Sequence, residues 1–184
     1  MVDARVEKLA ELMVDYSLGV KKDETVLIRA HSPAEPLIKA LNRKIIEAGA
    51  HAFLLVEIPG IEGDVMRYGS DEQIEFIHKP HEILYGTYDC MIRVLADNNT
   101  HALSGVPSEK VSRALKARSG LMKTYMDRAA SGALRWVLTA FPTNAFAQDA
   151  DMSLEEYEDF VYGACMPDQD DPVEIGRASC RERV

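Results

Sequence analysis

The chain has 184 residues, 47% hydrophobic and 28% charged, so it is long enough to bury the core of one globular domain. Its formal net charge of -9 disfavours nucleic-acid binding, because contacts with phosphates require a basic surface. Its three cysteines form no CxxC pair, and no stretch approaches the ~20 apolar residues of a spanning helix, so we expect a cytoplasmic protein with neither a zinc-thiolate site nor a membrane partner.

The chain opens with a predicted amphipathic helix followed by a strand and a second helix. Residues 3–18 form the first helix, which ends at Gly19. Its predicted inner face contains Val6, Leu9, Leu12, Met13 and Tyr16. The apolar run TVLIRA at 25–30 predicts a strand, and the Ser-Pro pair at 32–33 opens a helix that continues to about Ala48.

The same alternation continues through the middle of the chain. The run AFLLVEI at 52–58 predicts a second strand, which the Pro-Gly pair after it ends. Residues 71–78 and 81–88 are interpreted as helical segments around Pro80, which we expect to distort the helix. Residues 90–96 predict a third strand. Repeated strand-helix units of this kind are typical of a parallel sheet.

A long helix and a fourth strand follow. Residues 108–131 predict one continuous helix, and RWVLTAF at 135–141 predicts a strand. Ser153 and Glu156 have the spacing of a capping box, so one more helix begins there and ends before Pro167. Its predicted inner face contains Tyr157, Phe160, Val161 and Ala164.

These elements predict an α/β fold with a mostly parallel sheet of about four or more strands and helices on both faces. Residues 1–166 form the α/β domain, and the acidic segment 167–174 is a linker or the start of another domain. The last ten residues, IGRASCRERV at 175–184, resemble the translation of a sequencing adapter, so we interpret them as an artefact. The alternative is a genuine basic tail.

Histidines offer the first candidates for chemistry. His78 and His81 have a spacing that could present two imidazoles to one metal, but no third ligand lies nearby in sequence, so a surface pair is favoured. His31 follows the first strand, where parallel sheets commonly bind ligands, but a lone histidine supports no reaction, so a hydrogen bond to the turn after it is the favoured interpretation.

Other signals for catalysis or cofactor binding are weak. The glycines match neither the dinucleotide fingerprint nor the P-loop, and Ser104 lacks the GxSxG elbow. Cys90 has no base beside it in sequence, so we interpret it as a buried structural thiol. The side chains of Trp136, Phe141 and Phe146 are expected to fill the core.

Three stretches resemble the thermophilic metallo-aminopeptidase family, that of aminopeptidases T and S. They are VEKLAELMVDYSLGVKKDETVLIRAHSPAEPLIKAL, DCMIRVLADNNTHALSGVPSEK and RWVLTAFPTNAFAQDADMSLEEYEDFVYGAC. The likeness runs in order over residues 1–165, and the PTNAFAQDADMS core is its most specific part.

The resemblance implies hydrolysis of the N-terminal residue from peptides by a homodimeric enzyme that binds two divalent metal ions, commonly zinc, cobalt or manganese. Such a pair acts as a Lewis acid and activates water. The family's ligands are glutamates, histidines and an aspartate in its carboxyl-terminal half, and none maps onto this chain. We therefore expect an inactive amino-terminal fragment in which no catalytic, cofactor-binding or metal-binding residue can be named.

The family's amino-terminal domain helps to enclose the active-site cavity. In this chain the candidates for that role are the strand-end segments 31–34, 97–101 and 141–148. Asn144 and Gln148 are candidate contacts with the cavity, and the alternative is hydrogen bonding at a turn and helix start by Thr143 and Asn144. A competing interpretation of the whole chain is a non-catalytic α/β binding or oligomerisation module.

Overall fold

A computed structural model describes residues 3–165 of the chain, and in them four parallel strands form one sheet in the order β2-β1-β3-β4. The strands are β1 Thr25–His31, β2 His51–Glu57, β3 Cys90–Leu95 and β4 Arg135–Ala140. The helices are α1 Ala4–Glu11, α2 Glu35–Glu47, α3 Ile61–Tyr68, α4 Asp71–Glu75, α5 Lys79–Thr87, α6 Ser108–Ala117, α7 Ser119–Ala130, α8 Asn144–Asp149 and α9 Leu154–Cys165. The predicted α/β fold is confirmed.

The sheet is covered on both faces at its centre. On one face, side chains such as Val26 and Ile28 of β1 and Ile92 of β3 are buried in the main core with residues of α1, α2 and α9. On the opposite face, Leu27 and Met91 pack with residues of α5 and α7. Fully burying an aliphatic side chain of this size contributes roughly 1.5–3 kcal/mol, so these central strands anchor the fold.

The first helix departs from the regular geometry that its sequence predicts. After α1 the chain continues as a π-helical segment over Leu12–Leu18 and ends at Gly19, whose φ of 55° is left-handed. The wider turn changes which side chains face inward, so Tyr16 is 48% exposed although α-helical spacing places it on the inner face. The predicted helix is therefore correct in extent and wrong in its periodicity.

Three other helix predictions need correction. The predicted continuous helix over 108–131 is two helices, α6 and α7, separated at Arg118. The predicted helix over 71–78 stops at Glu75, because Phe76 has extended backbone angles. Pro80 lies in the first turn of α5, where its missing N–H is not needed, so it opens that helix instead of distorting it. Helix α3 was not predicted.

The edge strands are less well covered than the central pair. On β2 the side chains of Phe53, Leu54 and Val56 are exposed. On β4 Trp136 is 50% exposed, so the prediction that it fills the core is wrong, whereas Phe141 and Phe146 are partly buried. The reason is position in the sheet, because the flanking helices cover the centre and leave both margins open.

The last described helix begins as predicted. The hydroxyl of Ser153 accepts a hydrogen bond from the N–H of Glu156 at 3.3 Å, and the Glu156 carboxylate accepts from the N–H of Ser153 at 2.9 Å. The inner face of the helix differs, because Phe160 is 60% exposed and Tyr162 is buried. Segment 167–174 and the tail 175–184 lie outside the described residues, so those domain assignments remain predictions.

Candidate functional site

The three candidate strand-end segments do meet at one edge of the sheet. Strands β1, β3 and β4 run parallel, so the residues that follow them emerge on the same side. We call the region formed by segments 31–34, 97–101 and 141–148 the strand-end crevice. An open depression of about 350 Å³ lies there. Its lining residues are Pro33, Asn98, Pro142, Thr143, Asn144 and Leu154.

His31 has two competing partners in the crevice. Its Nδ1 accepts a hydrogen bond from the backbone N–H of Ala96 at 3.3 Å and also lies 3.3 Å from Oδ1 of Asp97. One nitrogen cannot accept from the amide and donate to the carboxylate at the same time. Nδ1 therefore bonds Ala96 when it carries no hydrogen and Asp97 when it carries one, so the two partners compete for this atom. The partner proposed from sequence, the turn after His31, is not the one observed.

Thr143 joins two walls of the crevice. Its hydroxyl donates to the carbonyl oxygen of Asp97 at 2.7 Å and accepts from the N–H of Phe146 at 3.3 Å, so it caps α8 and holds the loop after β3. The sequence left two interpretations of this segment, cavity contacts and hydrogen bonding at the helix start, and the second is observed for Thr143. Asn144 and Gln148 are exposed and their side chains form no hydrogen bond within the described structure. Both remain available for contacts outside it.

The histidine pair at the start of α5 does not form a metal site in the described structure. The rings of His78 and His81 lie edge to face with centroids 6.2 Å apart. The pKa of His81 is lowered by burial first, and then by the positive charge of Arg29 and by its electrostatic interaction with His78. Among residues 3–165 no group of three or more His, Cys, Asp or Glu side chains could hold a metal ion. The donor set therefore does not fit a two-metal centre.

Cys90 is the first residue of β3, so it lies at the amino-terminal ends of the strands, opposite the crevice. Its side chain is buried, and the guanidinium of Arg135, which is also paired with Glu24, donates to Sγ at 3.0 Å. Burial raises the pKa of the Cys90 thiol despite this cation. A thiol that stays protonated is a poor nucleophile, which agrees with the structural role expected from the sequence.

A polar cluster that was not predicted from the sequence lies on the face of the sheet that α5 covers. Nε and Nη2 of Arg29 donate to the two carboxylate oxygens of Glu57 at 3.0 and 2.7 Å, and Nη1 donates to the hydroxyl of Tyr85 at 2.6 Å. Burial opposes ionisation of Glu57, but the hydrogen bonds and charge of Arg29 outweigh it and lower the pKa of this carboxyl. Arg93 is the Cα partner of Arg29 on the neighbouring strand. The signal was present in the sequence as one arginine within each of two apolar strands.

Comparisons with known proteins agree with the fold. The chain matches the family described as thermophilic metalloprotease (M29) over residues 2–178. It is 25% identical over 197 residues to aminopeptidase T of Thermus thermophilus, and 24% identical over 196 residues to aminopeptidase 2 of Geobacillus stearothermophilus. These alignments cover 96% and 95% of the chain, but only 46% and 45% of the relatives. The chain thus spans about half the length of the curated relatives that it matches.

A solved structure supports the same architecture. Wild-type AmpT from Thermus thermophilus superposes with a TM-score of 0.69 at 21% identity. The superposition covers 87% of this chain and 42% of that structure. At this level of identity the likeness establishes the fold alone.

Proposed function

The chain belongs to the thermophilic metalloprotease family (M29), and from that membership we propose that it forms the amino-terminal domain of a metal-dependent aminopeptidase. The enzyme removes the N-terminal residue from peptides. The observation that carries this proposal is the family match over residues 2–178 combined with relatives that are about twice as long. In the proposed enzyme the two metal ions, zinc, cobalt or manganese, bind in the carboxyl-terminal half, as the family resemblance implies.

The role of this domain is to bound the cavity in which peptides bind. The strand-end crevice is the surface that suits this role, because exposed side chains such as Asn144 and Asn98 line it without internal partners. Thr143 and His31 fix the backbone behind them. The domain then contributes walls and hydrogen-bonding groups, while the chemistry belongs to the other half of the enzyme.

Exposed apolar side chains favour this proposal over a complete, non-catalytic module. Phe53, Leu54 and Val56 line one margin of the sheet, and all three are exposed. Monomeric proteins rarely expose contiguous apolar patches of large size, and such patches commonly mark contacts with another domain or subunit. A binding or oligomerisation module remains the competing proposal, and it predicts that residues 1–174 alone are stable and monodisperse.

The proposed enzyme is a cytoplasmic homodimer. Cys90 and Cys165 are both free thiols, which suits a reducing compartment. No helix in residues 3–165 has the length and hydropathy needed to cross a bilayer. Sedimentation analysis of the complete protein tests the dimer directly.

The decisive experiment begins with a long sequencing read through the codon for Glu174, followed by expression of the complete reading frame. We expect the complete protein to release p-nitroaniline from aminoacyl p-nitroanilides, to lose this activity with a chelator and to regain it with zinc, cobalt or manganese. Residues 1–174 alone should be inactive, and N-acetylated substrates should not be cleaved.

Two outcomes would refute the proposal. One is a reading frame that ends at Val184, which would leave no second half to bind the metals. The other is a complete protein that cleaves N-acetylated and free substrates equally, because an aminopeptidase must recognise the free amino group.

A further inference from the structure

A small pocket lies between β3, β4 and α7, on the face of the sheet that carries Arg29 and away from the strand-end crevice. Its volume is about 80 Å³. The lining residues are Tyr85, Met91, Arg93, Met122, Tyr125, Trp136, Val137 and Leu138. We call it the Arg93 pocket. It is too small for a nucleotide or peptide, since typical ligand pockets occupy roughly 300–1,000 Å³.

Arg93 is the unusual member of this pocket. It lies half-buried on a central strand, yet its guanidinium forms no hydrogen bond or ion pair within residues 3–165. Its neighbour in the register, Arg29, is neutralised by Glu57 through both carboxylate oxygens. Both oxygens of Glu57 thus bond Arg29, and the charge of Arg93 acts on Glu57 only through space, so two guanidinium charges share one carboxylate. A half-buried cation without a directly bonded counterion favours an anion as ligand.

Aromatic rings form the walls around this charge. The rings of Tyr85 and Tyr125 lie edge to face at 6.0 Å, and Tyr125 is 5.9 Å from the ring of Trp136. Burial raises the pKa of Tyr125 to about 12, so its hydroxyl remains a hydrogen-bond donor at neutral pH. Neither that hydroxyl nor the indole N–H of Trp136 has a hydrogen-bond partner in the described part of the chain.

The remaining lining is apolar. Met91 and Leu138 come from the strands and Met122 comes from α7, so the lining offers a ligand a cation, tyrosine hydroxyls and hydrocarbon together. Methionine side chains adapt to irregular apolar ligands. The pocket therefore combines the two features required to bind a carboxylate that carries a short apolar group.

We propose that the Arg93 pocket is a binding site for small aliphatic monocarboxylates, with the carboxylate on Arg93 and Tyr125 and the hydrocarbon against the methionines. Each bond from the guanidinium is charge-assisted and so is stronger than a bond between neutral groups. The proposal concerns this chain alone and does not depend on peptide hydrolysis.

Trp136 is the one tryptophan in the sequence, so its indole N–H gives a single reporter resonance in a nitrogen-correlated NMR spectrum. Isobutyrate is titrated into the protein at constant ionic strength, with isobutyramide as the uncharged isostere and chloride as the simple anion. We expect a saturable shift of the Trp136 indole resonance with isobutyrate, and at least about tenfold weaker binding of the amide and of chloride.

Variants identify the groups responsible. Arg93→Gln should weaken isobutyrate binding at least about tenfold, and Tyr125→Phe should weaken it by a smaller factor while it keeps the ring. Arg43→Gln, on an exposed side chain of α2, is the matched control and should bind as the parent does. Circular dichroism verifies that each variant is folded.

Three results would overturn the proposal. They are an indole resonance that isobutyrate does not move, equal binding of isobutyrate and isobutyramide, and unaltered affinity in Arg93→Gln. The comparison of acid with amide uses the parent protein, so it decides the matter even if Arg93→Gln does not fold.

Discussion

Arg29 and Glu57 lie on neighbouring strands, and the guanidinium of Arg29 donates hydrogen bonds to both carboxylate oxygens of Glu57, at 3.0 and 2.7 Å. The arginine also donates to Tyr85 on α5, so the pair connects the sheet to its covering helix. Both side chains are largely withdrawn from solvent, at 20% and 31% exposure. Planar, bidentate pairs of this kind are stronger than ordinary surface ion pairs.

The first prediction concerns this pair and pH. Because the folded-state pKa of Glu57 is lowered, its contribution to stability is fully present above the ordinary glutamate value of 4.5 and is lost as the pH falls through the lower folded value. Glu57→Gln should reduce the free energy of unfolding by about 1–3 kcal/mol at pH 7. The difference from the parent should shrink below pH 4.5.

Urea unfolding across pH 3–7 measures both effects. Glu35→Gln is the control, because Glu35 pairs with Lys39 on the exposed surface of α2. A Glu57→Gln variant whose stability falls with acid as steeply as that of the parent would contradict the assignment.

The second prediction concerns Thr143. Replacing it with alanine removes the cap of α8 and leaves the carbonyl of Asp97 without its 2.7 Å partner. Thr143→Ala should cost about 1–2 kcal/mol, whereas Thr143→Ser keeps the hydroxyl and should cost less. Chemical denaturation compares the two variants, and equal losses would show that the methyl group matters and not the hydrogen bonds.

The third prediction concerns the junction of the chain's first and last described helices. Arg5 pairs with Asp3, Glu158 and Asp159, and its guanidinium lies 4.8 Å from the centroid of the Tyr162 ring. Arg5→Ala should lower the free energy of unfolding by about 1 kcal/mol, since the partners are partly solvated.

High salt distinguishes the contributions to that loss. Screening weakens the exposed ion pairs, so the gap between the parent and Arg5→Ala should narrow in 1 M salt. Arg43→Ala serves as the control, because Arg43 makes one exposed pair with Glu7. If the gap stays the same in high salt, packing of Arg5 on Tyr162 carries the stability instead.

The fourth prediction tests the strand-end crevice in the complete enzyme. Alanine at both Asn144 and Gln148 should lower kcat/KM several-fold, because Asn144 lines the depression, Gln148 is exposed on the same short helix, and neither side chain has a partner within the described residues. Stability should change by less than ~0.5 kcal/mol, since surface substitutions usually do. Alanine at both Glu109 and Lys116, which are exposed on α6 outside the crevice, is the control pair. An unchanged kcat/KM would remove Asn144 and Gln148 from the site.

Local sequence determined the elements whose signals are short-range. The four apolar runs predicted every strand to within a residue or two, because β-branched and aliphatic residues suit a buried pleated surface. Ser153 and Glu156 predicted the start of α9, since a capping box is satisfied by residues three apart. The parallel orientation of the strands was also predictable, because a helix between two neighbouring strands returns the chain to the same end of the sheet.

The tertiary structure decided everything that depends on position in the sheet. Trp136 is as apolar as a core residue, yet it lies on an edge strand and stays half-exposed, and Tyr16 is turned outward by a π-helical segment. Arg29 and Arg93 are 64 positions apart in sequence, and only the register of β1 and β3 places them side by side in the sheet. Propensity and periodicity act over a few residues, whereas exposure and pairing depend on which strands are neighbours and where the helices end.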